Sequence, residues 1–333
     1  MKAKRFLLVS FSVMLTVVLV IPAFAQDGAQ ILVDGLTNPR NMSYDSAGNL
    51  YIAEAGATGG LVNADGDNYG ASSQITMITP DGERDVIVRG LISAIPGTPR
   101  GAHAIIATDD SLWIALGDQP DLTIPWTHGV VELDRETGRV KRFLDLLQVE
   151  VEQDPDGNMN MESNAVDLAL TDDGTLLIAN AGCNCLQSWS EADGLQVVAA
   201  WSHAEDNPVP TSVEVGPNGD IYVGFLTGFP FPQGGSRIER WSNGELAQTY
   251  TGLTAVTGLL VTDDGTIYAV EFGVYDQGWG PGRVVMVTDS GVEPVLEGLN
   301  QPYGIAQSPD GTIVVSVGGA GEGGDQVIVL PGM

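Results

Sequence analysis

Asp264-Gly265-Thr266-Ile267-Tyr268 decides the fold. Asp-Gly is a tight-hairpin signal, because glycine takes the positive φ such a turn needs, and the residues after it alternate like a half-buried strand. The phrase recurs as Ala47-Gly48-Asn49-Leu50-Tyr51, Asp110-Ser111-Leu112-Trp113, Asp173-Gly174-Thr175-Leu176, Asn218-Gly219-Asp220-Ile221-Tyr222 and Asp310-Gly311-Thr312-Ile313-Val314. Turn positions 48, 111, 174, 219, 265 and 311 are spaced 63, 63, 45, 46 and 46 residues apart. That is a spacing of propeller blades. Each repeat holds four short alternating runs; in the fifth they cover 258–261, 267–271, 283–287 and 292–296. Six four-stranded antiparallel units predict an all-β chain folded as a six-bladed β-propeller. No stretch carries a helical period of useful length.

Working outward, the last repeat stops after its third run, 326–330. The early stretch Gln30-Ile31-Leu32-Val33-Asp34-Gly35-Leu36 resembles fourth runs such as Asp85-Val86-Ile87-Val88-Arg89-Gly90-Leu91. The N-terminal strand is therefore expected to complete the last blade and hide edges that would otherwise be exposed. Loops between second and third strands share a face with the connections between blades. Here those loops are long (56–73, 118–128, 149–163, 226–236 and 273–282), whereas the opposite face has only tight turns. Binding residues concentrate on long loops held by a rigid scaffold, so a site is expected on that face, at the mouth of the central channel. Asp109, Asp110, Asp172, Asp173, Asp263 and Asp264 read as turn formers.

The chain of 333 residues opens with Lys2, Lys4 and Arg5, then an apolar run over 6–21, then Ala23-Phe24-Ala25. That order reads as a cleavable signal peptide, 1–25, preceding a single domain, 26–333. The mature protein is expected to be secreted or periplasmic, monomeric and without a membrane anchor. The 43 Asp+Glu against 14 Lys+Arg give a formal charge of −29. So few cations exclude a general nucleic-acid binder, since phosphate neutralisation needs Lys and Arg.

The second half carries a more specific pattern. Ser163-Asn164-Ala165-Val166-Asp167-Leu168-Ala169 precedes Leu177-Ile178-Ala179-Asn180-Ala181-Gly182, then Pro210-Thr211-Ser212-Val213, then Leu226-Thr227-Gly228-Phe229-Pro230-Phe231-Pro232. With Gly35-Leu36 to Pro39-Arg40 and Tyr51-Ile52-Ala53-Glu54-Ala55-Gly56, this resembles the ScyD/ScyE family of secreted, NHL-like β-propellers. The resemblance implies the propeller fold and export; it implies no particular activity. Gly182-Cys183-Asn184-Cys185 departs from it, standing where such proteins carry a Cys-free turn.

Three groups of residues carry candidate chemistry. Asp154, Asp156, Asn158, Asn160 and Glu162 place an oxygen side chain at every second position, as hard Ca²⁺ prefers. The plain alternative is a polar loop between blades. Asn63-Ala64-Asp65-Gly66-Asp67-Asn68 is a weaker loop of the same kind. Glu54, Asn164, Asp167, Asn180 and Glu271, with Asp118 and His103 beside them in the pattern, lie near strand ends on the long-loop face; gluconolactonase-like propellers hold a cation at the channel with such residues, and a metal-bound water there attacks an ester or lactone. The plain alternative is a polar, hydrated channel lining. Cys183 and Cys185 are the only cysteines, and a disulfide across one intervening residue is a candidate in an oxidising compartment. His103, His128 and His203 lack zinc-type spacing. Trp126 and Trp279, in long loops, are candidates for stacking on a ligand. The leading expectation is a non-catalytic binding or scaffold protein for a small molecule, glycan or protein. The alternative is a metal (Ca²⁺)-dependent hydrolase of the gluconolactonase/lactonase type.

Overall fold

A computed structural model describes residues 29–57, 60–62, 66, 68–94, 98–119, 122, 124–204, 207–321 and 325–331. The signal segment 1–25 and most of the weaker loop (63–65 and 67) lie outside the described residues. The rest is a six-bladed β-propeller. Blade 1 is Pro39–Tyr44, Leu50–Glu54, Asn68–Ile78 and Arg84–Ala94, with a short extra strand Leu61–Val62 against the third. Blade 2 is Ala102–Ala107, Ser111–Leu116, Gly129–Asp134 and Val140–Asp145. Blade 3 is Ala165–Leu170, Leu176–Asn180, Cys185–Ser190 and Gly194–Ala200. Blade 4 is Pro210–Val215, Ile221–Phe225, Ser236–Ser242 and Glu245–Leu253; blade 5 is Val256–Val261, Ile267–Glu271, Gly282–Thr288 and Gly291–Leu299. Blade 6 is Ile305–Gln307, Ile313–Val317, Gln326–Val329 and, as its outer strand, Gln30–Asp34, which pairs antiparallel with Gln326–Val329.

The sequence pattern follows from position in the blade. Second strands such as Leu50–Glu54 and Ile313–Val317 are buried throughout, so they read as continuous apolar runs. Outer strands such as Gly194–Ala200 mix half-buried and exposed positions. The core lies between blades. Val270, Val284 and Leu299 of blade 5 pack on Ile313, Val315 and Ile328 of blade 6, and Leu177 and Ala179 pack on Val213, Val223 and Phe225 across blades 3 and 4. Each fully buried side chain of this kind contributes about 1.5–3 kcal/mol.

In blades 3, 5 and 6 the repeated turn is held by its aspartate. Asp264 Oδ1 accepts hydrogen bonds from the Thr262 hydroxyl (2.6 Å) and Thr266 N (3.0 Å) while Gly265 holds φ +85°. Asp173 does the same with Thr171 and Thr175, and Asp310 with Ser308 and Thr312. These bonds hold all three carboxyls below the usual range.

One expectation fails. Leu146–Gln153 forms an α-helix, α1, between blades 2 and 3. Asp145 caps it by accepting from Gln148 N at 3.2 Å, and Asp154 ends it at φ +45°. Val149-Glu150-Val151-Glu152 alternates like a strand, which hid the helix from the periodicity argument. Among the described residues no helix is long and apolar enough to cross a membrane.

Candidate functional site

The start of each innermost strand contributes one residue to a ring at the long-loop end of the channel: Arg40, His103, Asn164, Thr211, Thr257 and Tyr303. They line a cavity of about 500 Å³ together with Arg100, Asp118, Gln301, Phe231, Phe272 and Trp279. Several ring members also tie blades together. Thr211 Oγ1 donates to Val256 O at 2.6 Å, and Arg40 Nη2 donates to Pro99 O at 2.7 Å.

One wall is cationic and polar. Arg40 is 1% exposed, and its guanidinium carbon lies 4.1 Å from the Tyr303 ring centre. Its Nε is buried without a partner, and burial lowers its pKa against the attraction of Tyr303 and Asp118. Arg100 Nη1 pairs with Asp118 Oδ2 at 3.0 Å. Burial pushes the Asp118 carboxyl up while Arg100 opposes it. His103 is buried, and neither ring nitrogen has a hydrogen-bond partner. Burial, with Arg40 and Arg100 adding repulsion, holds it well below its usual pKa, so the ring is neutral. Gly117 is needed here: a Cβ on it would stand 2.8 Å from both His103 Nε2 and Asn164 Oδ1.

The other wall is aromatic. Phe231 packs on Trp279 at 4.9 Å, Trp279 on Phe272 at 4.8 Å and on Tyr275 at 5.2 Å, with Phe229 outermost and 75% exposed. The loop carrying Phe231 holds Thr227 and Phe231 at positive φ, 77° and 56°, which costs on the order of 1–3 kcal/mol per residue. Thr227 N to Pro208 O (2.8 Å) and Phe231 N to Gly228 O (3.0 Å) hold it there. Trp279 thus lines the cavity as expected of a stacking residue. Trp126 does not: it is half-exposed and rests edge-on against Phe143 at 5.3 Å.

The five channel candidates do not meet. Glu54, Asn180 and Glu271 end the second strands of blades 1, 3 and 5, and each receives the backbone N–H of the segment entering its own blade. The donors are Thr37 N (2.6 Å), Asn164 N (2.8 Å) and Thr254 N (2.7 Å). Glu54 also accepts from Gln74 and Thr76, Glu271 pairs with Arg283, and the Asn180 amide donates to Ser163 and Gln187. Asn164 reaches the cavity, where its Oδ1 accepts from Asp118 N at 3.1 Å. Asp167 lies deeper in the channel beside Glu214, around a hollow of about 200 Å³. It accepts from Val213 N at 3.0 Å. Burial pushes Asp167 up to about 7 and Glu214 up to about 8. A cation shared by the five does not fit this arrangement.

In the acidic loop, the amide of Asn158 is spent on the loop itself. It donates to Asp156 Oδ2 (3.0 Å) and accepts from Asn160 N (2.6 Å). Asn160 and Glu162 are exposed. Asp154 and Asp156 instead join Glu150 of α1, with one oxygen of each within 4.8 Å of the others. Burial, then Asp156, Asp154 and Glu162, push Glu150 up to about 7. Cys183 and Cys185 are joined in a disulfide with Cα atoms 5.2 Å apart. Asn184 between them holds φ +45° and donates to Asp156 Oδ2 at 2.8 Å. A larger hollow, about 680 Å³, lies on the tight-turn face, but Asp264 and Ser308 in its lining are committed to their own turns.

Sequence reasoning missed Arg40, Arg100, Gln301 and Tyr303 as site residues. Proximity across six blades brings them together, and only the repeated start of each innermost strand could have flagged them.

No family model matches the chain, and no curated protein matches it. Solved structures do. A calcium-binding protein, regucalcin, from Agrobacterium tumefaciens superposes with a TM-score of 0.58 at 13% identity, covering 91% of this chain and 93% of that one. A putative oxidoreductase (glucose dehydrogenase) from Thermus thermophilus gives 0.58 at 14% identity, covering 90% and 98%. Virginiamycin B lyase from Staphylococcus aureus gives 0.53 at 12% identity, covering 92% and 88%. At such identities the likeness establishes the fold: this chain is a six-bladed β-propeller.

Proposed function

We propose that the protein is an exported, ScyD/ScyE-like propeller that binds a small ligand at the channel mouth without transforming it. The observation that carries this reading is the pairing of walls in one cavity. Phe231, Phe272 and Trp279 face Arg40, Arg100, His103 and Gln301 across about 500 Å³. That size suits a small molecule, and ligand sites combine apolar walls with a few placed polar groups. Two guanidiniums against one carboxylate make the cavity locally cationic in a chain of charge −29. The fitting ligand is a flat aromatic or apolar molecule carrying an anionic group, stacked on Trp279 and held by arginine. The Cys183–Cys185 disulfide supports export, since disulfides persist in oxidising compartments. The lactonase-type alternative needs a channel cation, and three of its five ligands are committed to backbone N–H groups of their own blades.

Titrating 2-naphthoate against 2-naphthalenemethanol, followed by Trp fluorescence and calorimetry, tests the reading. The acid should saturate one site. Arg100→Ala should weaken it about tenfold or more, the size of a lost charged hydrogen bond. Equal binding of acid and alcohol, or an unaffected Arg100→Ala variant, would overturn it.

A further inference from the structure

Glu150 sits on α1, away from the channel mouth, and the ligand reading makes no use of it. It is 3% exposed, and both of its carboxylate oxygens are buried without a hydrogen-bond partner. A buried carboxylate in that state is costly unless something of opposite charge satisfies it. Its neighbours do not. They are the carboxylates of Asp154 and Asp156, with one oxygen from each of the three within 4.8 Å of the others. Among the described residues none of the three pairs with Lys or Arg. The nearest imidazole, His203, has Nδ1 3.9 Å from Asp156 Oδ2.

The spacing fits one hard cation. Ca²⁺ takes oxygen ligands at 2.3–2.6 Å, so oxygens on opposite sides of it stand at most about 5 Å apart, whereas Mg²⁺ demands near-ideal octahedral geometry and gives up its waters reluctantly. The surroundings hold the carboxylates in place. Asp154 Oδ1 accepts from Met159 N at 3.0 Å. Asp156, with its side chain fully buried, accepts from Asn158 N at 3.1 Å and from the Asn184 amide at 2.8 Å. We propose that Glu150, Asp154 and Asp156 form a structural Ca²⁺ site that fastens α1 and the blade 2–3 connection to the Asn184 turn of blade 3. Glu150 is the member that the alternating pattern of the loop does not announce. Asn158 and Asn160 shape the loop and are not ligands.

The test uses the purified full-length protein, stripped with EDTA and exchanged into metal-free buffer at pH 7.5. Calorimetric titration with CaCl₂ should give one ion per chain. The melting temperature should rise by about 5 °C once free Ca²⁺ exceeds its dissociation constant about a hundredfold, and MgCl₂ should do less. Glu150→Gln keeps the shape and removes the charge. It should abolish the Ca²⁺ shift yet melt in EDTA at or above the wild-type temperature, because three crowded charges become two. Asp154→Asn should also abolish the shift. No bound Ca²⁺ and equal melting in CaCl₂ and EDTA would overturn the site. So would a Ca²⁺ shift that survives Glu150→Gln.

Discussion

At the scale of single residues, burial decides which acids matter. Asp167 and Glu214 face each other across the innermost strands of blades 3 and 4, and burial raises both, to about 7 and about 8. A carboxyl raised in the folded state holds its proton there while the unfolded chain has already released it. Folding stability is then lost as pH climbs from about 4 to about 8. The melting temperature is therefore expected to fall between pH 5 and pH 8. Asp167→Asn, which keeps an oxygen for Val213 N, should shrink that fall, and an identical pH profile in the variant would count against the assignment. The surface aspartates Asp173, Asp264 and Asp310 act in the opposite sense, since turn hydrogen bonds lower their pKa. The turn phrase marks Asp173, Asp264 and Asp310 in the sequence; the burial that raises Asp167 leaves no such mark.

At the scale of elements, the same end-of-strand position recurs with the same task. Glu54, Asn180 and Glu271 each close the loop that enters their blade. Removing the clamp in Glu271→Ala strands the buried Thr254 N–H and frees Arg283, at a cost of about 2–3 kcal/mol. Chemical denaturation should read that loss while naphthoate affinity at the channel mouth stays within about twofold; a large loss of affinity would mean Glu271 reaches the ligand. The hairpin phrase and its spacing made the blades legible because one local rule, glycine at positive φ in the turn, is repeated in five of the six. The site was less legible. Acidic residues at strand ends look like inward ligands, yet here they satisfy backbone donors. Glu150 was hidden twice, by a helix with strand-like alternation and by contacts that form only when α1 folds back on residues 154–156.

At the scale of the whole molecule, the ring is held by packing between blades and by one seam in blade 6. There the strand Gln30–Asp34 lies against Gln326–Val329, and Leu36 joins Met42, Val314 and Val327 in the core. Deleting residues 26–36 leaves that blade one strand short and bares the edge of Gln326–Val329. The melting temperature should drop by about 10 °C or more, since several buried side chains of about 1.5–3 kcal/mol each are lost. An unchanged melting temperature would mean the seam is dispensable. The charge of −29 also makes sense at this scale. Turn aspartates such as Asp173, Asp264 and Asp310 recur blade by blade and carry part of it, and two of the eleven arginines, Arg40 and Arg100, line the channel-mouth cavity.

The seam also sets an order of events. Gln30–Asp34 leaves the ribosome long before its partner Gln326–Val329. Five blades can gather from contacts close in sequence, but the sixth must wait for the two ends of the chain to find each other, the contact with the greatest loop entropy against it. Until then the N-terminal strand is an unpaired ribbon and the last blade an open edge, each able to pair with a neighbouring chain instead. The propeller is therefore most exposed to misassembly in the moment before it closes.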